Sequence, residues 1–165
     1  MKKALLLILA LTMVFAMVAC GNNAKSESNS NANAGYPVDE PFMKLTIPEG
    51  WEYDAERSTL SQVYITKSGG GSPEQSFQFN KSSGDAQTAY DEELAFWGED
   101  RTPMEDKMYG FYSYKRLGFT WNSLPSICLF TDWDNHPGES IAINCFCIDP
   151  GDPIIQEVIQ SVNYF

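Results

Sequence analysis

The stretch Ile127–Ile148, ICLFTDWDNHPGESIAINCFCI, decides the fold. Ile127–Trp133 and Ser140–Ile148 are rich in β-branched and aromatic residues and have the length of strands. Between them, Asp134-Asn135-His136-Pro137-Gly138 gathers the residues that favour turns. The segment therefore reads as an antiparallel hairpin. With the turn centred between His136 and Pro137, Cys128 faces Cys145 across the ladder, close to disulfide range. Alternation further places Cys145 and Cys147 on one face of the second strand.

The same reading extends outward. Upstream, Phe42–Ile47 alternates, with Met43, Leu45 and Ile47 on one side and Lys44 and Thr46 on the other. Pro48-Glu49-Gly50 then turns the chain. Gln62–Lys67 and Ser76–Asn80 read as two short strands joined by Gly69-Gly70-Gly71-Ser72-Pro73. That glycine run lacks the Lys-Ser/Thr ending and the following helix of a phosphate cradle. Asp85–Trp97 reads as a helix capped by Ser83 or Asp85. Ala86, Tyr90, Leu94 and Trp97 share one of its faces, Asp91, Glu92 and Glu93 lie on the other, and Gly98 is its stop. Lys107–Trp121 reads as one long bent strand, or as two strands broken at Gly118. A closing helix begins at Asp152 with Pro153 in its first turn and a buried stripe of Ile155, Val158, Ile159 and Val162. The expected fold is α+β: a mainly antiparallel sheet of about six strands flanked by two helices, in the order three strands, helix, three or four strands, helix.

The first 35 residues follow different rules. Met1-Lys2-Lys3 is a positive start, and Ala4–Val18 is apolar apart from Thr12. Such a run spans about 22 Å as a helix, short of the roughly 30 Å core of a bilayer. Residues 1–19 therefore read as a removable export signal. Met17-Val18-Ala19-Cys20-Gly21 resembles the lipobox of bacterial lipoproteins. That resemblance implies that Cys20 takes a diacylglycerol and becomes the first residue of a membrane-anchored, extracytoplasmic protein. Met17 stands where the pattern usually has Leu. Residues 20–35, Asn-, Ser- and Ala-rich, read as a flexible tether, and 36–165 as a single domain with one core.

Leu45-Thr46-Ile47-Pro48-Glu49-Gly50-Trp51 and the helix end Ile159-Gln160-Ser161-Val162 are similar to short motifs at the two ends of the PsbP/Mog1-like superfamily. The resemblance implies a sandwich of sheet and helices serving as a small non-catalytic binding or assembly module, and it carries over no catalytic residue.

Chemistry is sparse. The net charge is −11, and loss of Lys2 and Lys3 makes the chain two units more negative, so neither nucleic acid nor anionic lipid headgroups are expected as direct partners. The single histidine, His136, falls in a turn, and no nucleophile elbow accompanies it. Asp132–Glu139 fails the EF-hand pattern, with His136 at the fifth position and Pro137 at the sixth. No Cys-x-x-Cys pair exists, so no metal or other cofactor is expected. Two functions remain open. One is a surface-tethered binding module for a cell-surface protein, peptide or glycan. The other is an extracytoplasmic hydrolase of glycan or peptide using carboxylates or His136. For binding, the candidates are Trp133 at the hairpin tip, with Asp132, Asp134, Asn135 and His136 around it and Trp121 a short loop away. Against this stands the reading that Trp133 folds back as a plug of the core.

Overall fold

Alternation in the strands fixes which side chains meet and hence where the layers form. A computed structural model describes residues 37–40 and 42–165, with side chains from Phe42 onward. The export signal, Cys20, the tether and Tyr36 lie outside the described residues. The strands are β1 (Pro37–Glu40), β2 (Met43–Thr46), β3 (Trp51–Tyr53), β4 (Gln62–Lys67), β5 (Ser76–Ser83), β6 (Thr102–Tyr109), β7 (Tyr112–Trp121), β8 (Leu124–Asp132), β9 (Glu139–Phe146) and β10 (Asn163–Tyr164). Helix α1 (Ala86–Trp97) follows β5, and helix α2 (Pro153–Ser161) follows β9. The main sheet has seven antiparallel strands in the order β3-β4-β5-β9-β8-β7-β6, and β1-β2-β10 form a second, small sheet. The fold is α+β, as expected, but five strands precede α1, and the main sheet has seven strands rather than about six.

One face of the main sheet carries the core. Val63, Ile65, Phe77, Phe79, Ile127, Leu129, Ile141, Ile143 and Cys145 project from it and are fully buried. The stripe of α2 and residues Phe42, Met43, Leu45 and Ile47 close over them. Helix α2 starts as its sequence dictates, with the Asp152 side chain accepting from the Ile154 N–H at 3.0 Å and Pro153 in the first turn, where no N–H is needed. Pro48–Trp51 forms the expected turn, the Trp51 N–H donating to the Pro48 carbonyl at 3.1 Å with Gly50 at φ 79°.

The opposite, outer face is only partly covered. Helix α1 lies across it over β7, β8 and β9. Ala86 and Ala89, with Tyr90 and Leu94, pack on Leu117, Cys128, Phe130 and Ala142. Asp85 caps α1, its carboxylate accepting from the Thr88 N–H at 2.7 Å. Gly98 ends it at φ 55°, its N–H on the Leu94 carbonyl.

Three expectations are corrected. The aromatic stretch breaks at Gly110-Phe111 and not at Gly118. Tyr109 pairs with Tyr112 across that two-residue turn, where Gly110 has φ 63°, a conformation open to glycine. Gly118 stays in extended strand, and a Cβ there would stand 3.2 Å from Met104 Sδ. In the β8–β9 ladder Cys128 faces Asn144, and Cys145 faces Ile127. Asp132 pairs with Ser140, which centres the turn on His136, half a residue from the expected place. A one-residue change of register sends a side chain to the other face. Cys128 therefore lies under α1 and Cys145 in the main core, both as free thiols. Nor do Cys145 and Cys147 share a face: β9 ends at Phe146, and Cys147, at φ 56°, turns its thiol toward the Trp121 carbonyl oxygen at 3.6 Å.

Candidate functional site

The hairpin tip is a fastening. Trp133 is only 5% exposed. Its ring meets Phe42 edge-on at 6.2 Å and stacks on His136 at 3.8 Å, with the Lys81 ammonium 4.7 Å above it. Its Nε1–H donates to the Phe165 main-chain oxygen at 2.7 Å, and His136 Nε2 stands 3.0 Å from the same oxygen. The acids beside it are engaged as well. Asp132 accepts from the Ala86 N–H at 2.7 Å, holding the start of α1. Asp134 lies against Tyr112 and, after burial, helps push that phenol up. Asn135 takes φ 66° in the turn. The plug reading of Trp133 is the one that holds. Trp121 pairs with Leu124 at the other end of β8, about 26 Å away along the strand at roughly 3.3 Å per residue. The six candidates of the tip therefore do not form one site.

Trp121 belongs instead to a group at the C-terminal end of α1 that the sequence leaves scattered over some fifty positions. A cleft of about 410 Å³ is lined by Trp97, Glu99, Asp100, Arg101, Thr102, Phe119, Thr120 and Trp121. Trp97 and Trp121 flank it half-exposed, at 42% and 48%. Trp121 leans on Phe146 at 5.3 Å, and Phe146 meets Phe119 edge-on at 5.9 Å. The Arg101 guanidinium lies between the rings of Trp97 (4.7 Å) and Phe119 (4.3 Å). Glu93 holds it from behind at 2.7 Å. An arginine fixed by two rings and a carboxylate is a rigid wall.

On the other side of α1 lies a wider cleft of about 540 Å³. Phe96, 79% exposed, overhangs it and touches Trp97 edge-on at 5.1 Å, so the two rings join the clefts across the helix. Its walls are Glu92 and Glu93, and its floor includes Asn80, Asn144 and Ala142. The floor continues into an amide array. Gln62 and Gln78 both donate to Asn80 Oδ1, at 2.9 and 3.0 Å, and Asn144 donates to Gln78 at 3.5 Å. At the far edge, Arg57 bridges Asp54 and Glu74 and lies 5.0 Å from the Tyr64 ring. Burial would raise the Asp54 carboxyl, but the hydrogen bonds and charge of Arg57 hold it below the ordinary carboxylate value.

Only the alternation of β7 and the helical spacing of Trp97 carried a signal for this site. Both place a ring on the outer face, and neither says that the two faces adjoin. Among the described residues no group of three or more His, Cys, Asp or Glu is placed to hold a metal ion, and no helix is long and apolar enough to cross a membrane.

No family model and no curated protein matches the chain. A crystal structure of a protein from Bacteroides thetaiotaomicron VPI-5482, at 1.50 Å resolution, is similar with a TM-score of 0.49 and 11% identity. The similarity covers 79% of this chain and 48% of that one, so the chain spans about half the length of the protein it resembles. A likeness of that degree carries no functional argument.

Proposed function

We propose that the chain is a non-catalytic binding or assembly module, held at the extracytoplasmic face of a membrane by a lipid on Cys20, with its ligand side around α1. One observation carries the ligand side: the cleft flanked by half-exposed Trp97 and Trp121 and edged by Glu99, Asp100, Thr102 and Thr120. Flat amphipathic rings beside carboxylates and hydroxyls suit a ligand with both C–H faces and hydroxyl groups. Among cell-surface proteins, peptides and glycans, this favours a glycan. A basic peptide fits less well, because Arg101 already lies against Trp97 and Phe119 and sets a fixed positive charge beside the cleft. A PsbP/Mog1-like fold is part of this reading, and in its favour the two motif segments meet. Thr46 donates its N–H to Ser161 Oγ at 3.2 Å, and that hydroxyl lies 3.2 Å from the Thr46 carbonyl oxygen.

The test is a Trp97→Ala/Trp121→Ala double variant of the full chain, compared with wild type on immobilised oligosaccharides and on basic peptides. Glycan retention by wild type alone is the expected result. Equal retention by the double variant would remove the cleft from the ligand side, and retention of peptides alone would replace the glycan. The anchor is tested separately: Cys20→Ala should leave an unprocessed or released form. A mature-sized Cys20→Ala species that fractionates with membranes would refute lipidation.

A further inference from the structure

At the end of the domain opposite the Trp97–Trp121 cleft, the β6–β7 turn is apolar in a way the core does not explain. At the β6–β7 turn Phe111 is 98% exposed, the most exposed large apolar side chain among the described residues, and Met108 beside it is 58% exposed. Phe165 is exposed at the same end, where Tyr164 meets Tyr112 at 5.5 Å. The hairpin Lys107–Lys115, KMYGFYSYK, carries two lysines and no acid in a chain of net charge −11. Lys115 bridges Asp106 at 3.6 Å, while the Lys107 ammonium lies 4.8 Å from the Tyr109 ring. Asp134, on the neighbouring hairpin, lies against Tyr112.

The chain that precedes the domain enters beside this turn. Pro37, the first described residue, pairs with Thr46. Thr46 is bonded to Ser161, and the neighbouring Gln160 Cγ lies 3.9 Å from where a Cβ on Gly110 would stand. Pro37 follows Cys20 by 17 positions, and a flexible chain of that length has an r.m.s. reach on the order of 20 Å. A lipid on Cys20 would draw the side of the domain at which Pro37 enters, beside the β6–β7 turn, toward the bilayer.

We propose that the Gly110-Phe111 turn is a membrane-interface contact, with Phe111 and Met108 dipping among the lipid headgroups and Lys107 reaching the phosphates. An apolar tip with aromatic and lysine flanks is suited to that layer. Alone it binds weakly; held there by the anchor it sets orientation. Strand β7 runs from Tyr112 to Trp121, about 30 Å at roughly 3.3 Å per residue. A domain standing on Phe111 therefore holds the Trp97–Trp121 cleft away from the lipid surface, where a ligand can reach it. The inference rests on the anchored reading above.

The test uses the full lipidated chain in vesicles of phosphatidylcholine and phosphatidylglycerol. In the Phe111→Trp variant the new ring reports its own surroundings without touching the core. Flotation first shows whether the chain is anchored. In vesicles whose lipids carry bromine just below the headgroups, the emission added by Phe111→Trp should shift to the blue and be quenched. The wild-type chain, with Trp51, Trp97, Trp121 and Trp133, gives the baseline from which the added quenching is read. An anchored chain whose added emission remains red-shifted and unquenched would overturn the contact and leave the anchor standing. A chain that does not float would overturn the anchor and the contact together.

Discussion

Replacing Trp133 by alanine should be among the most damaging single changes in the domain, although the residue sits at a hairpin tip. The ring is 5% exposed, and its removal takes away the edge contact with Phe42 and the stack on His136. Truncating a buried tryptophan costs about 3–5 kcal/mol. The lost Nε1–H bond to Phe165 contributes about 1 kcal/mol of that or adds to it. The damage also spreads, because the Phe165 N–H donates to the Phe42 carbonyl at 3.3 Å. The side-chain bond and the backbone bond thus close one loop that fastens β10. Urea unfolding with a slope of about 2 kcal/mol/M would show the midpoint falling by roughly 2 M. Trp133→Phe keeps a ring but no donor, and should lose only about 1–2 kcal/mol. Amide exchange should then quicken at Asn163–Phe165 before the core strands are affected. A Trp133→Ala loss below about 1 kcal/mol would mean a solvated ring, and would return the tip to the candidates for ligand binding.

Three further outcomes follow from the same geometry. Burial pushes the thiols of Cys128 and Cys145 up, with the charge of Glu93 adding to Cys128. Alkylation of the native chain at neutral pH should therefore leave both unmodified until denaturant is added, and a Cys128–Cys145 crosslink formed without unfolding would refute the register. Gly84→Ala should destabilise by about 1–3 kcal/mol in urea unfolding, because Gly84 has φ 85° and a Cβ would stand 2.8 Å from Thr88 Cγ2; Gly98→Ala should cost a comparable amount although nothing lies within 4 Å, because φ 55° with ψ −121° falls outside the left-handed helical region and is strained for any side chain. The Asp54 and Asp85 carboxyls lie below their ordinary values, Asp54 because Arg57 outweighs the effect of burial and Asp85 through its hydrogen bonds to Thr88. Their stabilisation is complete above the unfolded value near pH 4 and is lost as pH falls through the lower folded values. Asp54→Asn and Asp85→Asn should flatten the acid limb of a melting-temperature profile, and an unchanged limb would refute both assignments.

The elements legible in the sequence are those whose signals are local. Asp152-Pro153 marks a helix start because a cap and a missing N–H act within one turn. Gln62–Lys67 reads as a strand because fully buried Val63 and Ile65 alternate with half-buried Gln62 and Tyr64. The β8–β9 register was not legible to one residue. The run Asp134–Gly138 accepts several turn geometries, and here Glu139 N–H donates to His136 and His136 N–H to Trp133, two successive bonds that centre the turn on His136. Likewise Gly118 looked like a break only because glycine is read without its neighbours; its vacancy is filled by Met104 from the adjacent strand.

The Trp97–Trp121 cleft escaped sequence reading for a deeper reason. Its parts come from the end of α1, the turn after it, the start of β6 and the end of β7, and what joins them is one cation. Arg101 is the first residue beyond that turn, and in sequence it is a lone arginine among acids. Only when α1 crosses β7 do Glu93, Trp97 and Phe119 converge on it. Substituting Arg101 by lysine should therefore matter more than its charge-conserving character implies, since an ammonium cannot span two ring faces and a carboxylate together. Loss of the cleft's ligand by Arg101→Lys, with the melting temperature nearly kept, would identify Arg101 as the residue that sets the ring spacing. Ligand binding unchanged in that variant would show that the strands alone position Trp97 and Trp121.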